Sequence, residues 1–207
     1  MYVVWLPVLI FIVGTANFYN FMDGIDGIAG ITGVLAFSLM AVYAWMSDMP
    51  VSFVLLSLAV SSACLGFLCF SFPKASVFLG DVGSILLGFV FACLVVFLSR
   101  SLSDFFVMTG FLSMFYFDEI FTMVVRIRDR DSLVEPHRRH IYQILANEAG
   151  IPHWKIALGY GLSQLVIGVV AMLVQPRGVW HLLVMYAVFA LMFTGVAMAV
   201  RYRWAVR

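Results

Sequence analysis

Charge is what this chain has least of. Asp, Glu, Lys and Arg make up 11% of its 207 residues and apolar residues 64%, where soluble globular domains carry roughly 25% and about 45–50%. That imbalance excludes an ordinary soluble enzyme. A net charge of +1 gives no electrostatic case for nucleic acid as a partner. Cysteine is also sparse. Cys64, Cys69 and Cys93 stand inside apolar runs with no ligand spacing and no nearby His, so they read as small core residues. No basic residue precedes the first apolar run, so the small residues Gly14-Thr15-Ala16 lack the flank that marks a secretory leader. Internal repeats and low-complexity tracts are absent.

What the chain has instead is long apolar runs. A bilayer-spanning helix needs about 20 mainly apolar residues, and six stretches meet that length or approach it: 27–47, 51–70, 83–100, 105–125, 154–174 and 180–200. A seventh, Tyr2 to Ala16, is shorter. Outside these runs the longest segment is Arg126 to His153, too short for a separate catalytic domain. The expectation is an all-α fold: a polytopic transmembrane bundle of about seven helices in a lipid bilayer, with 1–207 as one domain.

The few charges are unevenly placed. If the loop after Ala16 faces the cytoplasm and the helices alternate, that side holds Lys74, Arg126, Arg128, Arg130, Arg138, Arg139, Lys155, Arg201, Arg203 and Arg207. Only Arg100 and Arg177 fall on the other side, a split of ten to two. The positive-inside bias therefore predicts that orientation. The far-side connections, 47–50, 99–104 and 175–178, are short and built from turn formers or small polar residues. The cytoplasmic connections are longer and carry nearly every unusual residue, which makes them the expected working face.

Three polar clusters lie on that face. In the first, Asn17, Asn20, Asp23 and Asp26 recur every third residue, so a helical turn would stack two amides and two carboxylates in a ridge. Gly24 and Gly27 clear space beside the carboxylates. Such a ridge suits a metal ion, the edge of a base, or a sugar; the plainer reading is that these residues cap the next helix. In the second cluster, Phe78-Leu79-Gly80-Asp81-Val82-Gly83-Ser84 opens a membrane helix. Helix N-termini attract phosphate, and a carboxylate there can hold Mg²⁺ together with substrate phosphates. Alternatively Asp81 is an N-cap and Phe78 an interfacial anchor. The third, Pro136-His137-Arg138-Arg139-His140, follows the basic run 126–130. Its arginines suit phosphate, its histidine can change protonation near neutral pH, and the alternative is contact with anionic lipid. Asp118 and Glu119 sit deeper, inside 105–125, where carboxylates usually face a bundle interior or a cavity.

In this order the clusters resemble the polyprenyl-phosphate N-acetylhexosamine-1-phosphate transferases. The stretch Asn17 to Gly30 is similar to the family's Asn-x-x-Asn-x-x-Asp-Gly-x-Asp-Gly motif, Val77 to Ser84 to its Phe-x-Gly-Asp-x-Gly-Ser motif, and Pro136 to Gln143 to its histidine loop. The resemblance implies an enzyme of the bacterial cytoplasmic membrane with a cytoplasmic active face. It would transfer an N-acetylhexosamine-1-phosphate from a UDP-N-acetylhexosamine to undecaprenyl phosphate, releasing UMP. It implies Mg²⁺, or Mn²⁺, on Asp81. It places Asp23, Asp26, Asn17 and Asn20 on the nucleotide side with Phe78 on uracil, and His140, Arg138 and Arg139 on phosphate; spacing leaves a role at the metal open for Asp23 and Asp26.

Three departures qualify the likeness. Tyr142 and Gln143 follow His140-Ile141 where relatives often have two histidines, a form that looks like the branch initiating O-antigen chains in lipopolysaccharide synthesis. Ser71 stands at a nucleotide-contact position where many relatives have Asn. Relatives also carry an adjacent Asp-Asp pair upstream of the first motif, and this sequence has no Asp-Asp pair. With the apolar run that opens the chain, this leads us to expect an N-terminally truncated relative whose 207 residues alone release no UMP. The rival classes are a non-catalytic membrane subunit of the same family and an ion-coupled transporter using Asp118 and Glu119. Gly88 and Ala92 permit close helix packing, within the chain or in a homodimer.

Overall fold

The computed structural model describes residues 5–130 and 139–204, and these are helical apart from their connections. In order they form α1 (Trp5–Phe21), α2 (Ile28–Met46), α3 (Val51–Ser71), α4 (Gly80–Leu98), α5 (Leu102–Gly110), α6 (Ser113–Asp129), the short α7 (Ile141–Asn147), α8 (His153–Val174) and α9 (Val179–Trp204). Among the described residues α2, α3, α4, α8 and α9 are long and apolar enough to cross a membrane, and α5 with α6 can make a sixth crossing. Helix α1, with 17 residues, is a shorter apolar helix. The chain is a polytopic helical bundle, as its apolar runs predict.

Two boundaries differ from the sequence reading. The run 105–125 is not one straight helix: α5 and α6 meet at 85°. At the break Phe111 and Leu112 donate to the carbonyls of Met108 and Thr109, three residues back, in place of the α-helical ladder. The Tyr186 hydroxyl of α9 donates to the Phe106 carbonyl at 2.9 Å, packed where Gly110 has no side chain. A side chain competing for a ladder carbonyl is a recognised cause of such a kink. The second difference is α1, which continues past Ala16 to Phe21 and so carries Asn17 and Asn20 on its last turns.

The alternation of helices sorts the connections to opposite ends. At one end the Arg100 guanidinium donates to the Ser47 carbonyl at 2.8 Å, and the Tyr43 hydroxyl donates to Asp104 at 2.6 Å. The Gln175 amide nitrogen lies 3.4 Å from the same carboxylate oxygen. Three short connections are thus tied by one buried carboxylate. The longer connections gather at the other end, with the polar clusters.

Large fully buried side chains fill the middle, among them Tyr19, Phe37, Phe91, Phe111 and Phe115. Tyr19 packs edge-on against Phe115, centroids 5.2 Å apart, and its hydroxyl donates to the Ala29 carbonyl at 2.7 Å. Helices α1 and α4 touch backbone to backbone, since a methyl group on Gly88 would lie 2.8 Å from both the Ala16 Cα and the Thr15 carbonyl oxygen. The small residue Gly88 is therefore spent inside the chain, between α1 and α4.

Candidate active site at one end of the bundle

The first cluster divides between a helix and a loop. Asn17 and Asn20 lie on α1, while Asp23 and Asp26 lie in the connection that follows, so the four do not form one continuous helical ridge. Met22 and Ile25 are buried and anchor the connection, leaving the two carboxylates partly open. Gly27 then starts α2 at φ 79° with no side-chain cap. That left-handed conformation favours glycine, and a methyl group there would meet the Phe72 ring at 2.8 Å. Neither Asp is spent on capping α2.

One amide joins this loop to the second cluster. Asn20 Nδ2 donates to Asp81 Oδ1 at 3.0 Å and to Ser84 Oγ at 2.9 Å. Asp81 is in the first turn of α4, exposed, and α4 has no side-chain cap either. Asp23 is close enough to feel its charge: burial first, and then the Asp81 carboxylate, raise the Asp23 pKa to about 7. Asp23, Asp26, Ser71 and Phe78 line one shallow cleft together with Gly27 and Gly30. Ser71 is buried with its hydroxyl unpartnered, whereas Phe78 is 77% exposed and offers an open ring face. Asn17 is turned away, its amide donating to the Val13 carbonyl of its own helix at 2.7 Å.

The third cluster is placed differently from the sequence expectation. His137 and Arg138 lie outside the described residues. Arg139 does not line the cleft; its guanidinium is 3.7 Å from Asp129. His140 is 2% exposed, with its ring nitrogens 3.6 Å from Asp118 and 3.5 Å from Glu119. A ring enclosed this way does not present itself to a phosphate in the cleft. The physical reason is the intramembrane pair Asp118 and Glu119, which draws the histidine inward. Asp118 also accepts from the Ile141 N–H at 2.9 Å, the Tyr142 N–H at 3.3 Å and the Tyr160 hydroxyl at 2.6 Å. It thereby fixes the start of α7 against α6 and α8.

The sequence reading missed the residues that connect this buried network to the acidic loop. The Tyr142 hydroxyl donates to the Phe21 carbonyl at 2.8 Å and closes so tightly over Gly24 that a side chain there would collide with it. Gln143 accepts from the His140 N–H at 3.3 Å. His153, at the start of α8, places Nδ1 3.1 Å from Asp26 Oδ2. The departure Tyr142-Gln143 was visible in the sequence, but its structural use was not.

The donor set can be weighed against Mg²⁺. Among the described residues no three His, Cys, Asp or Glu side chains gather to hold a metal by themselves. Asp81 with Asp23 fits the other arrangement, in which one or two carboxylates hold the ion and substrate phosphates complete its shell. Burial, and after it the Asp81 charge, raises Asp23, and a cation held by the two carboxylates would offset both.

The family model described as glycosyl transferase family 4 matches residues 1–99, which include the first two clusters. The chain is 30% identical over 149 residues to the protein named probable undecaprenyl-phosphate N-acetylglucosaminyl 1-phosphate transferase of Bacillus subtilis (strain 168), covering 70% of this chain and 41% of that one. It is 30% identical over 143 residues to the phospho-N-acetylmuramoyl-pentapeptide-transferase of Staphylococcus saprophyticus, covering 65% of this chain and 43% of that one. The chain spans about two fifths of the length of these relatives. With two motifs meeting in one cleft at the end of a membrane bundle, it belongs to glycosyl transferase family 4, the superfamily of polyprenyl-phosphate hexosamine-1-phosphate transferases.

Proposed function

We propose that this chain forms the nucleotide-sugar and metal side of an enzyme that transfers N-acetylhexosamine-1-phosphate from a UDP-sugar to undecaprenyl phosphate. The observation that carries the proposal is the cleft in which Asp23, Asp26, Ser71 and Phe78 converge beside the Asn20–Asp81 bridge. Transfer of this kind is mainly positioning and neutralisation of phosphoryl charge, and the site offers both. Phe78 supplies a stacking face for the base, Ser71 a hydroxyl at the cleft wall, and Asp26 an acceptor for the sugar or ribose. Asp81, with Asp23 beside it, would hold Mg²⁺ or Mn²⁺, which supplies charge neutralisation at the pyrophosphate. Asn20 orients Asp81 by donating to one carboxylate oxygen and leaves the other free.

The product would be a sugar-diphospho-undecaprenol for a cell-envelope polysaccharide. The His-x-Tyr-Gln form of 140–143 supports the branch that initiates O-antigen. The ten-to-two split of basic residues supports a cytoplasmic face in the bacterial inner membrane. The test is UDP binding to the chain in detergent with and without Mg²⁺, for wild type beside Asp81→Asn. Binding is the readout because it does not require the acceptor lipid. Affinity that depends on Mg²⁺ and falls at least tenfold in Asp81→Asn is expected. UDP affinity that ignores both the ion and the substitution would sink the proposal.

A further inference from the structure

His153 lies outside all three motifs, yet it makes two contacts to Asp26. Its Nδ1 is 3.1 Å from Asp26 Oδ2 and 3.4 Å from the Asp26 backbone nitrogen. One ring nitrogen cannot serve both, since it must carry a proton to donate to the carboxylate and lack one to accept from the amide. The shorter contact is charge-assisted, and such bonds are about twice as strong as neutral ones. The geometry therefore favours Nδ1–H donating to Asp26. Side-chain exposures of 40% for His153 and 21% for Asp26 leave the pair reachable from the cleft side.

The ring is held by a rigid element. His153 opens α8 directly after Pro152, and α8 lies flush on α2, the helix that begins two residues after Asp26. Gly161 and Gly168 let the two helices close up, because methyl groups there would meet Ile31 at 2.6 Å and Leu39 at 2.6 Å. Gln164 Nε2 donates to the Thr32 carbonyl at 3.2 Å. Any displacement of α8 along α2 would carry His153 away from Asp26.

We propose that His153 is a positioning residue for the nucleotide-sugar side of the site, its Nδ1–H fixing the Asp26 carboxylate toward the cleft. The inference rests on the functional reading above. Its ligand is a nucleoside diphosphate or its sugar ester, held through Asp26 and not touched by the imidazole.

The experiment measures Mg²⁺-dependent UDP binding by the full chain for His153→Ala, His153→Asn and Asp26→Asn, and for His153→Ala combined with Asp26→Asn. An asparagine amide can take the place of Nδ1–H. His153→Ala is expected to weaken binding about tenfold, His153→Asn to recover most of that loss, and His153→Ala to change affinity less than twofold once Asp26 is Asn. Equal losses in both backgrounds, or an asparagine no better than alanine, would overturn the positioning role and leave the functional reading standing. A wild-type chain that does not bind UDP would overturn that reading and the role with it. The ¹⁵N shifts of the His153 ring, read without ligand, test the pair itself: a bare Nδ1 in the wild type refutes the proposal.

Discussion

Replacing Asp118 tests the frame that carries the site. Its Oδ1 accepts from the Ile141 N–H and, at 3.2 Å, from the Thr122 hydroxyl. Its Oδ2 accepts from the Tyr142 N–H and the Tyr160 hydroxyl. All of this lies in the interior, with Asp118 itself 0% exposed. Asp118→Ala leaves two helix-start N–H groups and a tyrosine hydroxyl without an acceptor, at about 1–3 kcal/mol for each buried orphan. It also strips His140 of one of its two carboxylates. Partial relaxation makes these losses less than additive, so the net cost should be about 3–5 kcal/mol, the range for breaking a buried charged pair. Asp118→Asn keeps the Oδ1 acceptor for the Ile141 N–H and the Thr122 hydroxyl and turns an NH₂ toward the Tyr142 N–H, while the Tyr160 hydroxyl can reverse and accept. Its cost should be smaller, about 1–3 kcal/mol. Denaturant titration in detergent gives the order, and hydrogen exchange at Ile141 and Tyr142 gives the place. If Asp118→Ala were as stable as wild type, or if exchange quickened everywhere but at the start of α7, Asp118 would not be the anchor described here.

Further outcomes follow from the same contacts. Tyr142→Phe loses the bond to the Phe21 carbonyl and should cost about 1 kcal/mol; unchanged stability, with unchanged exchange at Phe21 to Gly24, would contradict that contact. Gly88→Val should destabilise the chain by about 1–3 kcal/mol through overpacking against α1, and a neutral result would mean that α1 and α4 are not in backbone contact. Tyr43→Phe removes the donor to Asp104 at the opposite end, so it should lower the unfolding temperature and leave UDP affinity unchanged. Asp23 supplies a pH test in the absence of divalent cations. Its folded pKa is raised to about 7, so the folded state binds its proton more tightly than the unfolded chain does. That contribution to stability is full below about 4 and is lost as pH rises through 7. Asp23→Asn should therefore stabilise the chain most at pH 8, less at pH 5 and little below pH 4, and an equal effect at pH 8 and pH 4 would refute the assignment.

The fold was legible because its signal is redundant: every membrane run is some twenty residues of the same character, and small errors of boundary do not move the bundle. The break at Phe111 was hidden because its cause is Tyr186, 75 residues away in sequence, taking the Phe106 carbonyl. The cleft was legible in Asp23, Asp26 and Phe78, and its neighbour Asp81 likewise, because carboxylates and glycines at a membrane boundary are costly without a use. Their meeting through Asn20 could be suspected from order alone but not located. The structure seats His140 against Asp118 and Glu119 and away from the cleft, for a physical reason. A histidine between arginines reads as a phosphate contact, and only the packing of α6 shows that Asp118 and Glu119 claim it first. Tyr142 showed only as a departure whose use could not be read, and His153 left no signal, since a histidine in a basic connection is ordinary until its partner is known.

These partners give the acidic loop its character. A connection of six residues between two membrane helices would normally be free to move, and two neighbouring carboxylates repel each other. Here the loop and the helix end that enters it are tied at three points by different parts of the chain. Asn20, on the last turn of α1, holds Asp81 of α4. Tyr142 of α7 holds the carbonyl just before the loop, at Phe21. His153 of α8 holds its last carboxylate, at Asp26. Asp23 lies between these points with no hydrogen-bonding side chain given to it among the contacts described, and it is the carboxylate whose pKa is raised. A loop fixed on either side of one partly buried carboxylate costs little reorganisation when a cation or a sugar hydroxyl arrives, which is how preorganised polar sites work. Loosening any one of the three ties should therefore weaken nucleotide binding more than it weakens the fold. Asn20→Ala separates those effects most sharply, because its amide serves only Asp81 and Ser84 of the second cluster, and the Ser84 hydroxyl keeps its bond to the Gly80 carbonyl.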